Sequence, residues 1–413
     1  MIQELTIARV AGQGDGVAET PAGPVFAPLT LPGEHIRAEV RDGRAEAIEI
    51  LTPSPDRIAP VSPQYGDCGG CSLQHWASQP YLEWKREQVR LALARERIET
   101  EIAPTIATPP GARRRLALHA RKDPNGRAVI GFKARRSWRL VEVRECPVAD
   151  PRLVAAFPRL AALAAFLLDH PKSAPTLHTT LTLTGLDIDV TGVEGKNGLS
   201  GDRRQQLIEA AVAADVARLS VAGDVLMMAR QPMVRFGNSV VPLPPGGFLQ
   251  AVPQAEATMT SLAVDAVRGS RKIADLFCGA GAFTFPLAEV APVLAADSSA
   301  AAIAALKAGI GSAQGLKPIT AEARDLFRRP LAPYDLRGCD AIVLDPPRAG
   351  ALDQTRQLGQ TKAHTVVYVS CNPVTFARDA RVLIDAGFRL ERVTPVDQFL
   401  WSAHVELVGV FRR

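Results

Sequence analysis

Apolar and polar residues alternate in short runs through the first fifty positions. Leu5, Ile7 and Val10 come first, and Val25 to Ala27, Ile36 to Val40 and Ala47 to Leu51 follow. Gly12-Gln-Gly-Asp-Gly16, Pro32-Gly33 and Asp42-Gly43 separate the runs, and residues of that kind mark turns. Five short strands in about fifty residues predict a small β-barrel over 1–54. Thr52-Pro-Ser-Pro55 reads as the linker that ends it. From Gln79 to Ile98 the period becomes helical, with Leu82, Val89, Leu91, Leu93 and Ile98 set among charges. Leu116, Leu118 and Ala120 then alternate with other residues up to Asp123-Pro-Asn-Gly126, and Val129 to Phe132 returns. That is a β-hairpin pattern. Further on, the pattern predicts a helix over 153–168, a strand pair over 179–190, a helix over 202–219 and β structure over 223–241.

After about 248 the pattern changes to buried strands that each end in a chemically useful residue. Lys272-Ile-Ala-Asp-Leu-Phe-Cys-Gly-Ala-Gly-Ala-Phe-Thr284 is a strand, a glycine loop and a helix start. Gly279 and Gly281 let backbone approach a ligand closely. Val293 to Ala296 ends in Asp297, a carboxylate suited to ribose hydroxyls. The loop lacks the third glycine of a dinucleotide fingerprint, which suits a cofactor without phosphates such as S-adenosylmethionine. Ala341-Ile-Val-Leu344 runs into Asp345-Pro-Pro-Arg348, where two prolines fix the backbone. Thr365-Val-Val-Tyr-Val369 runs into Ser370-Cys-Asn-Pro373, which leaves Cys371 at a strand end. A free cysteine in such a place is more often a small core residue than a nucleophile. The last strand, within Ser402 to Phe411, carries Glu406 inside an apolar run, a costly position unless the carboxylate is paired or functional. The fold class expected is α/β: a doubly wound Rossmann-like domain over 248–413, the N-terminal barrel over 1–54, and a mixed central domain over 55–247.

Charge and cysteine content narrow the function. The chain has 413 residues, a net charge of +5 and six cysteines. So few cysteines in so long a chain are no disulfide framework and point to a reducing compartment. No charged start followed by an apolar core marks a signal peptide, and no apolar stretch is long enough to span a bilayer. A cytoplasmic protein without membrane contact is expected. The basic excess concentrates in Arg113 to Arg144, with eleven Arg and Lys against Asp123 and Glu142. Such density in one hairpin favours contact with nucleic-acid phosphates over a merely solvated face, and Trp138 among them is suited to stacking a base. Cys68-Gly-Gly-Cys71 is open to three readings: a redox pair, half a zinc site or half an iron–sulfur site. Cys146 is the third thiol near it in sequence, and three packed cysteines without metal are the plain alternative.

Asp275-Leu-Phe-Cys-Gly-Ala-Gly-Ala-Phe283, Asp345-Pro-Pro-Arg348, Ser370-Cys-Asn-Pro373 and His404-Val-Glu406 together resemble the RNA 5-methyluridine methyltransferases, over nearly the whole chain. The resemblance implies S-adenosylmethionine as cofactor, Cys371 as nucleophile and Glu406 as general base. It implies cofactor contacts from Gln250, in Gly247-Phe-Leu-Gln250, and from Phe277, Asp297 and Asp345. It makes the barrel a TRAM domain, and Cys68, Cys71 and Cys146 ligands of a [4Fe–4S] cluster. It also implies an RNA partner and a monomer. Bacterial members that act on 23S ribosomal RNA carry a TRAM domain and the tRNA enzyme does not, so 23S rRNA is the expected substrate. The sequence departs from the pattern at Ala282, where many members have Asn, at Ala251, and at Ser62. Ser62 stands where the family has its first cluster cysteine, which leaves open ligation by serine, an unfilled fourth position, or no cluster. The chemistry is consistent on its own terms: uracil C5 is a weak nucleophile until a thiolate adds to C6. Alternatives are a tRNA 5-methyluridine or RNA 5-methylcytosine enzyme, an exocyclic-nitrogen methyltransferase, and a non-catalytic RNA-binding relative.

Overall fold

The computed structural model describes residues 2–168, 173–193 and 199–413, and its largest sheet is made from the most apolar runs of the chain. In that nine-stranded sheet, Ile319–Ala323, Val293–Asp297, Ile273–Leu276, Ala341–Leu344 and Thr365–Ser370 lie parallel in that order. Glu406–Arg412 pairs antiparallel with Thr365–Ser370, and Arg389–Asp397 pairs antiparallel with Glu406–Arg412. Glu101–Ile102 and Ile106–Ala107 pair with its far edge. The central strands read as unbroken apolar runs because both faces are covered. Ile273, Val343 and Val367 face one core, while Ala274, Ile342 and Val366 face the other. The strand order reverses between Ile273–Leu276 and Ala341–Leu344, so a crevice opens there at the carboxyl ends of the strands. This is the Rossmann-like α/β architecture expected.

The N-terminal segment forms a curled sheet of six strands rather than five, Ile2–Thr6 through Arg44–Thr52, around Leu5, Ile7, Ala18, Val25 and Ile36. Arg9–Val10 is split off from the first apolar run, and Gly16–Thr20 is a strand that none of the named runs covers. Between the two lies a seven-stranded sheet containing the hairpin Arg115–Lys122 and Ala128–Lys133. Helices Pro151–Ala165 and Gly201–Ala213 pack with it around one core. The helix expected over 202–219 stops at Ala213. Val216–Val221, buried at every position, is instead a strand parallel to Gly185–Thr191. Its one charge explains the misreading: Arg218 looks solvent-facing in sequence but is buried against Asp187 in a two-pronged ion pair of 2.7 and 2.8 Å.

Helix Ser78–Arg95 ties the central region to the large sheet, with Val89 and Leu93 in the core beneath Tyr368. Lys85, fully buried on the same helix, pairs with buried Asp397 and donates to the carbonyls of Phe399 (3.2 Å) and His404 (2.6 Å). Tyr81 donates to Asp397 at 3.0 Å and accepts from the Trp401 amide at 2.8 Å. The 397–404 loop is therefore clamped at both ends. Removing one partner of such a buried pair costs about 3–5 kcal/mol, because the other charge stays buried alone. No helix among the described residues is long and apolar enough to cross a membrane.

Candidate active site

Four strand ends deliver the chemistry to one crevice. After Ile273–Leu276, Phe277 adopts a left-handed backbone (φ 62°), a conformation worth about 1–3 kcal/mol of strain in a non-glycine residue. Its ring lies 5.5 Å from that of half-exposed Phe327, so two aromatic faces stand at the crevice rim. Gly281 (φ 105°) is obligatory, since a Cβ there would lie 2.6 Å from the Phe285 ring. Asp297 accepts from the Gly279 amide (3.0 Å) and the Ser299 amide (2.8 Å), which fixes its carboxylate beside the glycine loop. Buried Asp275 accepts from Thr284 Oγ1 at 2.5 Å, while its Oδ1 has no partner among the described residues. Burial pushes Asp275 up to about 7, and the nearby Asp345 and Asp297 charges add to the rise. Asp345 lies deep in the crevice with part of its surface open. Burial pushes it up to about 7, against the lowering effect of the Gln250 amide that donates to it at 2.9 Å.

Cys371 follows the Thr365–Ser370 strand and precedes helix Pro373–Asp385. Asn372 holds that turn, accepting from the Val374 amide and donating through its side chain to Arg348 O, both at 3.1 Å. The thiol is partly exposed. Burial, then the charges of Glu406 and Asp345, push it up to about 11, and Arg348 opposes them. Glu406 is 4% exposed and is pushed up to about 8, first by burial and then by Asp345. Its Oε1 accepts from Gln398 Nε2 at 3.2 Å. Cys371 opens onto a cleft of ≈550 Å³ lined also by Gln13, Arg113, Arg136, Arg348 and His404. An adjoining groove of ≈850 Å³ reaches Cys371 from the Gly12-Gln13 side.

The structure thus gathers Gln250, Asp345, Cys371 and Glu406 in one place, with Phe277 and Asp297 along the same crevice. It also supplies residues that sequence reasoning passed over. Gln398 follows Arg389–Asp397, a strand of mixed polarity that ends in Asp397, so no apolar run sets it apart as one does Asp345. Gln13 lay inside a stretch read only as a turn.

The basic hairpin is less free than its composition suggests. Arg114 pairs with Glu256 (2.7 Å) and donates to Gln250 O, and Arg115 donates to Leu249 O. Arg135, Arg136 and Arg44 converge on buried Asp15, which docks the hairpin against the N-terminal sheet. Arg121, Lys122 and Arg144 stay exposed, as does Trp138 (74%), whose ring Lys133 covers at 3.8 Å.

The metal reading meets a different outcome. Cys68, Cys71 and Cys146 line one largely apolar cavity of ≈230 Å³ beside Arg113. Cys71 is pushed up to about 12 by burial and by its two thiol neighbours. Ser62 does not line that cavity: its Oγ accepts from the Gln64 amide at 3.2 Å within its own turn. Among the described residues no three His, Cys, Asp or Glu side chains are grouped so as to hold a metal ion. The donor set as folded does not fit the [4Fe–4S] cluster that the resemblance implies.

The family model described as tRNA (Uracil-5-)-methyltransferase matches residues 240–413. An RNA methyltransferase of Caulobacter vibrioides is 61% identical over 100% of both chains. One of Brucella suis is 44% identical over 99% of this chain and 98% of its own. The 23S rRNA (uracil(1939)-C(5))-methyltransferase of Alkalilimnicola ehrlichii is 31% identical over 99% and 96%. Among solved structures, the tRNA (uracil-54, C5)-methyltransferase of Pyrococcus abyssi, in complex with S-adenosyl-L-homocysteine, is similar over 99% of both chains with a TM-score of 0.77 and 24% identity.

Proposed function

The chain belongs to the S-adenosylmethionine-dependent RNA (uracil-5-)-methyltransferases, and from that premise we propose that it methylates C5 of a uridine in 23S rRNA through a covalent adduct on Cys371. The observation that carries this reading is the meeting of a thiol, a buried carboxyl and cofactor-side carboxylates at the switch point of one sheet. The 23S rRNA assignment is supported by the relative of that activity, which aligns from end to end. The N-terminal sheet, read as a TRAM domain, contributes Gln13 to the cleft at Cys371, and an RNA spanning both is accommodated by that arrangement. The site of action is the cytoplasm, and the chain acts as a monomer.

S-adenosylmethionine supplies the methyl group. Phe277 and Phe327 would flank its adenine, Asp297 would take the ribose hydroxyls, and Gln250 and Asp345 would hold the polar end. Unpartnered Asp275 Oδ1 and the cluster of raised carboxyls suit a positively charged ligand. On the RNA side the target base leaves its stack to reach the thiol. Cys371 reacts as the thiolate: its sulfur bonds to C6, and the C5–C6 π electrons move toward O4 as an enolate. C5 of that enolate is then nucleophilic enough to take the methyl group, whose bond to the donor sulfur breaks with its electron pair left on that sulfur, so that S-adenosylhomocysteine is the leaving group. Glu406 then takes the C5 proton, the electrons of that C–H bond restore C5–C6, and the S–C6 bond breaks.

The test is transfer of labelled methyl from S-adenosylmethionine to rRNA lacking this modification, with the position mapped. Cys371→Ala abolishes transfer and keeps cofactor affinity near wild type. RNA carrying 5-fluorouridine at the mapped position traps a covalent complex with the wild-type protein, since fluorine cannot leave as a proton does. Transfer by Cys371→Ala, or no trapped complex, refutes the mechanism.

A further inference from the structure

The 397–404 loop carries one buried amide that the mechanism above does not use. Gln398 is 2% exposed and follows the strand Arg389–Asp397 directly. Its Nε2 donates to Gln250 Oε1 at 2.8 Å and to Glu406 Oε1 at 3.2 Å. Its Oε1 accepts from the Val252 amide at 3.4 Å. Gln250 in turn donates through its own Nε2 to Asp345 Oδ2. An unbroken chain, Asp345–Gln250–Gln398–Glu406, therefore runs from the cofactor side of the crevice to the base.

The direction of this chain is fixed. A primary amide has two donor hydrogens and one carbonyl. Both hydrogens of Gln398 face acceptors and its carbonyl faces a donor, so a flipped amide would turn oxygen toward a carboxylate and a carbonyl. Side-chain placement is fixed as well. The Lys85–Asp397 pair holds the residue before Gln398, and strand pairing sets Val396 opposite Glu406. We propose that Gln398 is a positioning residue that aims Glu406 at the base while orienting Gln250 toward the cofactor, an inference that rests on the roles proposed for those two residues.

The charges facing Glu406 are Asp345, Lys85 and Cys371. Asp345 disfavours its ionised form, whereas Gln398 and Lys85 favour it. Losing the Gln398 donor therefore moves the ionisation of Glu406 to higher pH. Gln398→Met keeps length and volume and removes both donors. Proton removal is read as tritium released from RNA labelled at C5 of the target uridine, in single turnovers. The expected loss is about tenfold at pH 7, equivalent to one pKa unit. It shrinks to about twofold at pH 9 and toward parity above about pH 10, where Glu406 is ionised in both proteins. The dissociation constant for S-adenosylhomocysteine rises several-fold, because Gln250 loses the donor that orients it. A loss that is the same at every pH, or unchanged S-adenosylhomocysteine affinity, overturns the inference. Should Gln398→Met fail to fold, Gln398→Asn keeps an amide but withdraws it from both partners, and the same two readouts apply. Glu406→Gln separates the premise from the inference. Normal tritium release in Glu406→Gln overturns both. Blocked release in Glu406→Gln with a wild-type pH profile in the Gln398 variant overturns the inference alone.

Discussion

Glu406→Gln is expected to make Cys371 more reactive toward alkylation while it stops turnover. The thiol stands at about 11 against an ordinary 9.0, so at pH 7 thiolate is about a hundredfold scarcer than in an unperturbed cysteine. Burial is the largest cause and survives the substitution, while the Glu406 charge comes next. Removing that charge returns at most half of the effect on a logarithmic scale, a gain of about tenfold in thiolate. The gain has its own pH dependence. Glu406 is pushed up to about 8, so below that pH it is mostly protonated and has no charge to remove. The ratio of variant to wild-type alkylation should thus stand near one at pH 7 and open as pH rises through about 8. The assay is iodoacetamide labelling followed by mass analysis of the Cys371 peptide from pH 7 to 10. In the same variant, methyl transfer from labelled cofactor should leave methylated RNA bound covalently to protein. A variant alkylated more slowly than wild type, or a ratio that does not change with pH, would refute the electrostatic account. Wild-type turnover would remove Glu406 from the reaction.

Affinity for S-adenosylmethionine should rise as pH passes about 7, because Asp275 and Asp345 are anions only above it; S-adenosylhomocysteine, without the sulfonium charge, should gain less. Calorimetry from pH 5.5 to 8.5 compares them, and equal pH dependence counts against the carboxylates as cation hosts. The same two groups have folded pKa values above their unfolded ones, so the native state holds extra protons. The cofactor-free protein should lose melting temperature as pH rises from about 4 through about 7. Neutralising Arg121, Lys122 and Arg144 should flatten the slope of log RNA affinity against log salt by about 2. Trp138→Ala should weaken binding by about 1–3 kcal/mol with the slope unchanged. Anaerobically purified wild-type protein should lack stoichiometric iron and sulfide yet transfer methyl groups. Iron near four per chain in active protein would show that the Ser62 turn rearranges to complete a cluster.

Where side chains meet over short sequence distances, the sequence is a reliable guide. The runs before Asp297, Asp345 and Cys371 are legible because strands buried on both faces are mostly apolar stretches, and the polar residue that ends each one stands out. The hairpin at Asp123-Pro-Asn-Gly126 is legible from its turn chemistry. Long-range pairing is what remains hidden. Arg218 reads as helix surface until Asp187 is seen beside it, and Lys85 reads as one more charge on an amphipathic helix until Asp397 appears at its end. For the same reason the arginine count in 113–144 overstates the free positive surface. Arg114, Arg135 and Arg136 are committed to Glu256 and Asp15, residues more than a hundred positions away in sequence.

The same separation in sequence explains how the site reconciles two opposing demands. Binding a cation favours a buried cluster of carboxylates, and Asp275, Asp345 and Glu406 provide one. A nucleophilic thiol is opposed by that cluster, and Cys371 shows the opposition in its raised pKa. The two demands conflict only while the negative charge is uncompensated. A cationic ligand beside Asp345 would lower the field at the sulfur, and Arg348 already acts in that direction from the rim. On this account the site keeps the thiol mostly protonated before the cofactor binds. Gln398 lies on the line between the two carboxylates, bonded to Glu406 directly and to Asp345 through the Gln250 amide. The residue least visible in the sequence is thus the one through which the cofactor's side of the crevice reaches the base.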